Sequence, residues 1–299
     1  MKKISLNIIA LSGVLFLGSC VKKADMVMDP SKSNSVIQFA NTGDNLAGTT
    51  VDYPRFYTDL GSIGPDESAS FNVNVNYAGG FEAPEDITVN LAVDETALET
   101  YNTQDGTDYV VPAASIFSFP SSVIIKKGTR VTQVQATIKR TADFDFGLAY
   151  ALPLKIASVS TGTISGNFGT AIYSFGVRNQ YDGIYSANGY VLREGDNVLS
   201  GNFKNIQRPL STTGANSNTF AQVWSTGGAV GGIDGLTLTV DPATNKVTVT
   251  STANPAVKNL STYDNRYDPA TKTYFVSFYW GSGPTNRAAT DTLTYVGPR

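Results

Sequence analysis

Between residues 70 and 77 the side chains alternate without a break, with Phe71, Val73, Val75 and Tyr77 set against Asn72, Asn74 and Asn76. A period of two places the first set against a core and the asparagines toward water, which predicts a half-buried strand. Ile87, Val89, Leu91 and Val93 repeat the pattern. Shorter strand-like runs occur at 36–39, 50–57, 116–119, 123–125, 134–138, 150–156 and 172–177. Pro153 removes a ladder donor, so the strand over 150–156 is expected at a sheet edge or with a bulge. One helix interrupts the series: Asp94 is a good N-cap, Leu98 and Tyr101 form an i, i+3 apolar pair, and Gly106 ends the pattern. Seven or so short strands separated by turn signals predict an immunoglobulin-like β-sandwich over residues 36–178.

A second unit, 181–299, begins at Tyr181-Asp182-Gly183. Leu236, Leu238 and Val240 lead into Asp241-Pro242-Ala243-Thr244-Asn245-Lys246, and Val247 and Val249 lead out. The same turn recurs as Asp268-Pro269-Ala270-Thr271-Lys272, followed by Tyr274, Val276, Phe278 and Trp280. Proline presets φ at the second turn position and the aspartate can accept from the backbone ahead of it. The shared stretch is short and reads as convergent turn chemistry. The unit is expected to be an antiparallel β-sandwich or a small β-barrel, so the whole chain is all-β.

The first residues carry a different pattern. Lys2 and Lys3 precede a mostly apolar run from Ile4 to Leu17, too short to span a bilayer comfortably, and Leu17-Gly18-Ser19-Cys20 follows. This is the lipobox pattern of a bacterial lipoprotein. It predicts a signal peptide over 1–19, a lipidated Cys20 and a polar tether over 20–35. Two or three acyl chains, at roughly 0.8 kcal/mol per buried CH₂, make a lasting anchor.

Composition narrows the functions open to the chain. The 22 basic residues less Lys2 and Lys3, against 25 acidic ones, give the mature chain a net charge of −5, which argues against a nucleic-acid partner. Cys20 is the sole cysteine, so no disulfide within the chain supports the fold. The chain has no histidine, which excludes a Ser-His-Asp triad, a Cys-His pair and an imidazole-rich zinc site. The glycines 227, 228, 231 and 232 have no Gly-Lys-Ser/Thr sequel and read as a loop. A two-carboxylate glycosidase needs only an acid and a base, but Glu194 is the one glutamate in the second unit and Asp241 and Asp268 have turn roles. Asp143-Phe144-Asp145 and Asp264-Asn265 offer hard oxygens without an EF-hand pattern and read as solvated turns. Neither a catalytic residue, a cofactor nor a metal is expected.

Aromatics carry the remaining signal. Trp224 precedes Ser225-Thr226-Gly227-Gly228, and Trp280 precedes Gly281-Ser282-Gly283-Pro284, with Asn286 and Arg287 close behind. Tyr279 alternates with Trp280 and lies on the opposite face. Flat rings stack on the C–H faces of sugars while amides and guanidinium groups bond the hydroxyls, so Trp224, Trp280, Tyr279, Asn286 and Arg287 are candidate glycan-binding residues. A tryptophan at a strand end is equally a core residue, and the pattern leaves both readings open.

Ala97-Leu98-Glu99-Thr100-Tyr101-Asn102, Gly106-Thr107-Asp108-Tyr109, Val111-Pro112, Val123-Ile124-Ile125-Lys126-Lys127-Gly128 and Tyr150-Ala151-Leu152-Pro153-Leu154-Lys155-Ile156 stand in an order and spacing that resembles a known family. It is an N-terminal domain of unknown function in Bacteroidota outer-membrane lipoproteins encoded in Sus-type polysaccharide-utilisation loci. The resemblance spans about residues 36–178, and the second unit more loosely resembles the domains that follow it. It implies a carbohydrate-binding accessory lipoprotein at the outer membrane, facing the cell surface, with a polysaccharide or oligosaccharide ligand and an importer complex as partner. It supplies no catalytic residues. The usual surface-export signal places acidic residues after the cysteine, whereas Val21-Lys22-Lys23-Ala24-Asp25 follows here. The class-level alternative is a structural or protein–protein lipoprotein, adhesin-like or an importer partner, with no glycan site.

Overall fold

The computed structural model describes residues 34–40 and 51–299. Cys20, the signal peptide and most of the tether expected at 20–35 lie outside the described residues. The first unit contains β1 (Val36–Phe39), β2 (Arg55–Ser62), β3 (Ser68–Ala78), β4 (Ile87–Val93), α1 (Glu95–Asp105), β5 (Phe117–Ser118), β6 (Ser122–Ile125), β7 (Val131–Lys139), β8 (Tyr150–Val159), β9 (Thr163–Ile164) and β10 (Thr170–Arg178). They form two five-stranded sheets, β5-β7-β3-β1-β9 and β2-β10-β8-β4-β6. The alternation read at 70–77 holds: Phe71, Val73 and Val75 are buried, and they share one core with Val89 and Leu91 of the facing sheet. Tyr173 anchors that core, its ring centroid 5.9 Å from Phe39, 5.7 Å from Phe56 and 5.9 Å from Phe71. This is the two-sheet sandwich expected of the sequence.

Helix α1 begins where Asp94 accepts a hydrogen bond from the Ala97 N–H at 3.3 Å, and Gly106 closes it at φ 66°. It buries Ala97, Leu98 and Tyr101 against Ala151 and Ile172, outside the main core.

Of the two forms expected for the strand of Pro153, the edge is not the one found and the bulge is. Strand β8 is central, between β10 and β4, and its bulge is at Ala157, where the register steps from Asn90↔Ser158 to Leu91↔Ile156. The proline itself sits where β4 has ended: Leu154 pairs with Val93, and the Pro153 carbonyl accepts from Asp94 N–H at 3.0 Å. On the other side Pro153 faces Ile172, whose own N–H donates away, to Pro54 O. The missing donor therefore falls where the neighbouring chain has turned into α1, and no ladder bond is lost.

The second unit contains β11 (Gly183–Arg193), β12 (Gly201–Gly214), β13 (Ser217–Phe220), β14 (Leu236–Val240), β15 (Val247–Ser251), β16 (Lys258–Asn259), β17 (Arg266–Asp268), β18 (Thr273–Trp280) and β19 (Arg287–Gly297). The sheet runs β15-β14-β13-β12-β11-β19-β18-β16, with β17 also on β18. Its ends meet. Lys246 bridges Arg266, Val247 N–H donates to Asn265 O at 3.0 Å, and Tyr267 N–H donates to Asn245 O at 2.8 Å. Of the two forms the sequence allowed, the structure is the nearly closed barrel, filled by one continuous apolar core.

Candidate functional site

The two tryptophans belong to that core. Inward positions on β18 are Tyr274, Val276, Phe278 and Trp280, so Trp280 continues the buried row and is 1% exposed. Its ring stacks on Phe278 at 5.9 Å and meets Trp224, itself 9% exposed, at 6.2 Å. The Arg193 guanidinium lies over Trp224, 5.6 Å from its ring centroid. Neither indole presents a face for stacking on a sugar, which corrects the expectation for Trp224 and Trp280. They plug one end of the barrel, packed with Phe278 into its apolar core.

Asn286 is a loop clasp. Its Nδ2 donates to Glu194 Oε2 at 3.0 Å, its Oδ1 accepts from Ser282 N–H at 3.3 Å, and its carbonyl accepts from Glu194 N–H at 2.8 Å. Arg287 opens β19, paired with Arg193 and Trp280, and is half-buried. These two residues join the loops around the tryptophan plug. Only Tyr279 falls elsewhere.

Tyr279 points out of the barrel. It is half-exposed in a depression of about 520 Å³ with Lys258, Pro255 and Pro284 among its walls. Strand parity and register define its surroundings. Tyr279 pairs with Ala288 and Lys258, and two residues along β19 from Ala288, Thr290 pairs with Tyr190 and Ser277. Tyr190 lies on the same outer face and is 45% exposed. Two strand spacings and one two-residue step separate the tyrosines, about 12 Å on ordinary sheet dimensions. Between and beside them the face carries Thr290, Thr292, Asn188 and Asn202, and Arg266 stacks over Phe275 at 4.2 Å. The sequence reading missed Tyr190. Its signal was parity, because Ala187 and Val191 point inward and leave Tyr190 outside, in one row with Ser186 and Asn188.

Residues 39–163 match the family model of an N-terminal domain, and residues 169–294 match the model of a like-described C-terminal domain. The chain carries this domain pair. Among solved structures, a protein of unknown function from Bacteroides ovatus is 16% identical, with a TM-score of 0.55 over 89% of this chain and 95% of its own. A second from the same organism is 14% identical, with a TM-score of 0.48 over 87% and 93%. An auxiliary nutrient binding protein from Bacteroides thetaiotaomicron is 14% identical, with a TM-score of 0.44 over 85% and 94%. The first of these supports the arrangement of two β domains. No curated protein matches the chain by sequence.

Within the C-terminal domain, the barrel interior also holds polar groups. Asp291 is fully buried on β19 and accepts from Gln222 Nε2 at 3.3 Å. Gly189 makes room for it: a Cβ there would lie 2.9 Å from Asp291 Oδ1 and 2.3 Å from Thr290 O. Burial pushes the Asp291 carboxyl up to about 7, against the opposing pull of the Arg208 guanidinium and the Gln222 hydrogen bond. Arg208 donates to Ala221 O, while its Nε and Nη2, Gln222 Oε1 and Asp291 Oδ2 have no partner. Among the described residues no group of three or more metal-ligating side chains is placed to hold an ion. The outer face, with Tyr190 and Tyr279, is therefore the candidate site that a large ligand can reach.

Proposed function

We propose that this chain is a non-catalytic carbohydrate-binding lipoprotein of a glycan-utilisation system, anchored by Cys20 in the outer membrane and facing the cell surface, where it presents polysaccharide to an importer. The observation that carries the reading is the pair of outward tyrosines on one outer face of the barrel, set among threonine hydroxyls, asparagine amides and Arg266. A sugar chain laid across the strands meets a ring at each end of a hydroxyl-rich strip. Such stacking is worth about 0.5–1.5 kcal/mol per ring. The N-terminal sandwich acts as a spacer between lipid and barrel.

Affinity electrophoresis of the protein through gels containing a panel of polysaccharides tests it. At least one polysaccharide is expected to retard the protein, and Tyr190→Ala and Tyr279→Ala are each expected to weaken retention roughly 3- to 10-fold. No retardation across the panel, or retardation unchanged in both variants, would remove the outer-face reading. Protease shaving of intact cells tests the outward orientation.

A further inference from the structure

The two Asp-Pro-Ala-Thr turns are brought side by side at the junction of the domains. In the first, Asp241 Oδ1 accepts from Ala243 N–H at 2.9 Å and Oδ2 from Thr244 Oγ1 at 2.7 Å. In the second, Asp268 Oδ1 accepts from Ala270 N–H at 2.9 Å and Oδ2 from Thr271 Oγ1 at 2.9 Å. Each turn ends on a residue in the left-handed region, Asn245 at φ 57° and Lys272 at φ 48°. Together they form one wall of a cleft of about 530 Å³. The opposite wall is the loop Ser62–Glu67 of the N-terminal domain, and Gln180 and Tyr181 of the connecting segment complete it. That volume is in the range of small-molecule sites, about 300–1,000 Å³.

The lining narrows the ligand. Tyr181 and Tyr267 are buried and meet edge to face at 5.0 Å, and Pro65, Pro242 and Pro269 add rigid C–H surface. Neither turn aspartate is among the lining residues, and the charged side chains on the walls are Glu67, whose Oε2 accepts from Gly64 N–H at 2.8 Å, and Lys272, whose ammonium lies 4.9 Å from the Tyr295 ring centroid. These balance and do not select an ion. Nor is a strand edge on offer to a peptide: Tyr267 N–H donates to Asn245 O, Asn245 N–H to Asp241 O, and Lys272 O accepts from Tyr295 N–H. What remains is the Gln180 and Asn245 amides, with Glu67 and Lys272 beside them, around the C–H surfaces of three prolines, which suits vicinal hydroxyls on a ring with apolar faces. We infer that the interdomain cleft is a second binding site, distinct from the outer face, that takes a short neutral oligosaccharide of two or three rings. The connecting segment then holds the two walls at a fixed separation.

Calorimetric titration of the full-length protein with neutral trisaccharides of glucose, mannose, galactose and xylose tests the inference. Asn245→Gly and Lys272→Gly remove the side chains while glycine keeps the left-handed turn, so Asn245→Gly is expected to melt like the parent and Lys272→Gly no lower than it. Saturable binding of one trisaccharide, weakened at least tenfold in the double variant and unchanged in Tyr190→Ala, is the expected result. Glu67→Gln gives a second reading from the opposite wall, with a loss in the same direction. Binding that survives the double variant but falls in Tyr190→Ala would overturn the cleft while leaving the outer-face reading standing. Failure of every trisaccharide at millimolar concentration would overturn the cleft alone, because polysaccharide retention reports on the outer face separately.

Discussion

At the scale of single residues, the most consequential side chain is one that no motif announces. Asp291 is fully buried in the barrel, and its folded-state carboxyl titrates at about 7 against an ordinary 3.8. A raised acid pKa means the folded state holds the proton more tightly than the unfolded one. The associated stability is complete below about pH 4 and is lost as pH rises through 7. The displacement corresponds to on the order of 4 kcal/mol for a group removed from water. Asn at this position imitates the protonated acid at every pH. Urea unfolding of the parent is therefore expected to show stability falling between pH 4 and 8, and Asp291→Asn to flatten that slope and exceed the parent at pH 8. Parallel pH curves for the two proteins would mean that Asp291 keeps its charge inside the barrel, held by Arg208.

At the scale of elements, strand parity explains both what the chain discloses and what it hides. The rows Phe71-Val73-Val75 and Val89-Leu91 are legible because one face of each strand is apolar and the other polar. Parity also assigned Tyr279 and Trp280 to opposite faces, yet it could not say which face was inside, since both carry aromatics. Closure of the barrel decides that, through the bridge Lys246↔Arg266 that joins the two ends of the sheet. The strand of Pro153 shows a related limit: whether a missing donor matters depends on where the neighbouring strand stops. The paired turns show the opposite case, where local chemistry is fully legible but adjacency is not. Their left-handed positions make a specific prediction. Asn245→Ala keeps the Cβ but loses the short polar side chain that lets asparagine adopt the left-handed region, where an ordinary side chain costs about 1–2 kcal/mol, whereas Asn245→Gly removes the Cβ altogether. Alanine is expected to lower the thermal midpoint and glycine to leave it nearly unchanged; equal effects would contradict the turn geometry.

At the scale of the whole molecule, the domains are joined by buried and half-buried polar groups. The buried Asn179 amide donates to Gly214 O at 2.8 Å and Ser217 O at 3.0 Å, and its Oδ1 accepts from Tyr181 N–H at 2.9 Å. Asp182 accepts from Thr212 N–H at 2.7 Å and from Arg299. Arg140 spans the junction, donating to Ile63 O in one domain and Ala215 O in the other, each at 3.0 Å. Removing a partner from such a set leaves buried groups unpaired, at about 1–3 kcal/mol each. Both tryptophans lie in the barrel, so their fluorescence reports that domain, while far-ultraviolet circular dichroism reports both. In the parent the two probes are expected to give coincident urea transitions. Asn179→Ala removes the inner clasp of the barrel, and the fluorescence transition is expected to move to lower urea, ahead of the dichroism. Arg140→Ala cuts the bridge, together with the contact of its guanidinium over the Phe146 ring, and is expected to separate the probes with a smaller shift. If the probes still coincide in both variants, the domains are coupled by something other than these hydrogen bonds, and the width of the cleft is not set by the connecting segment.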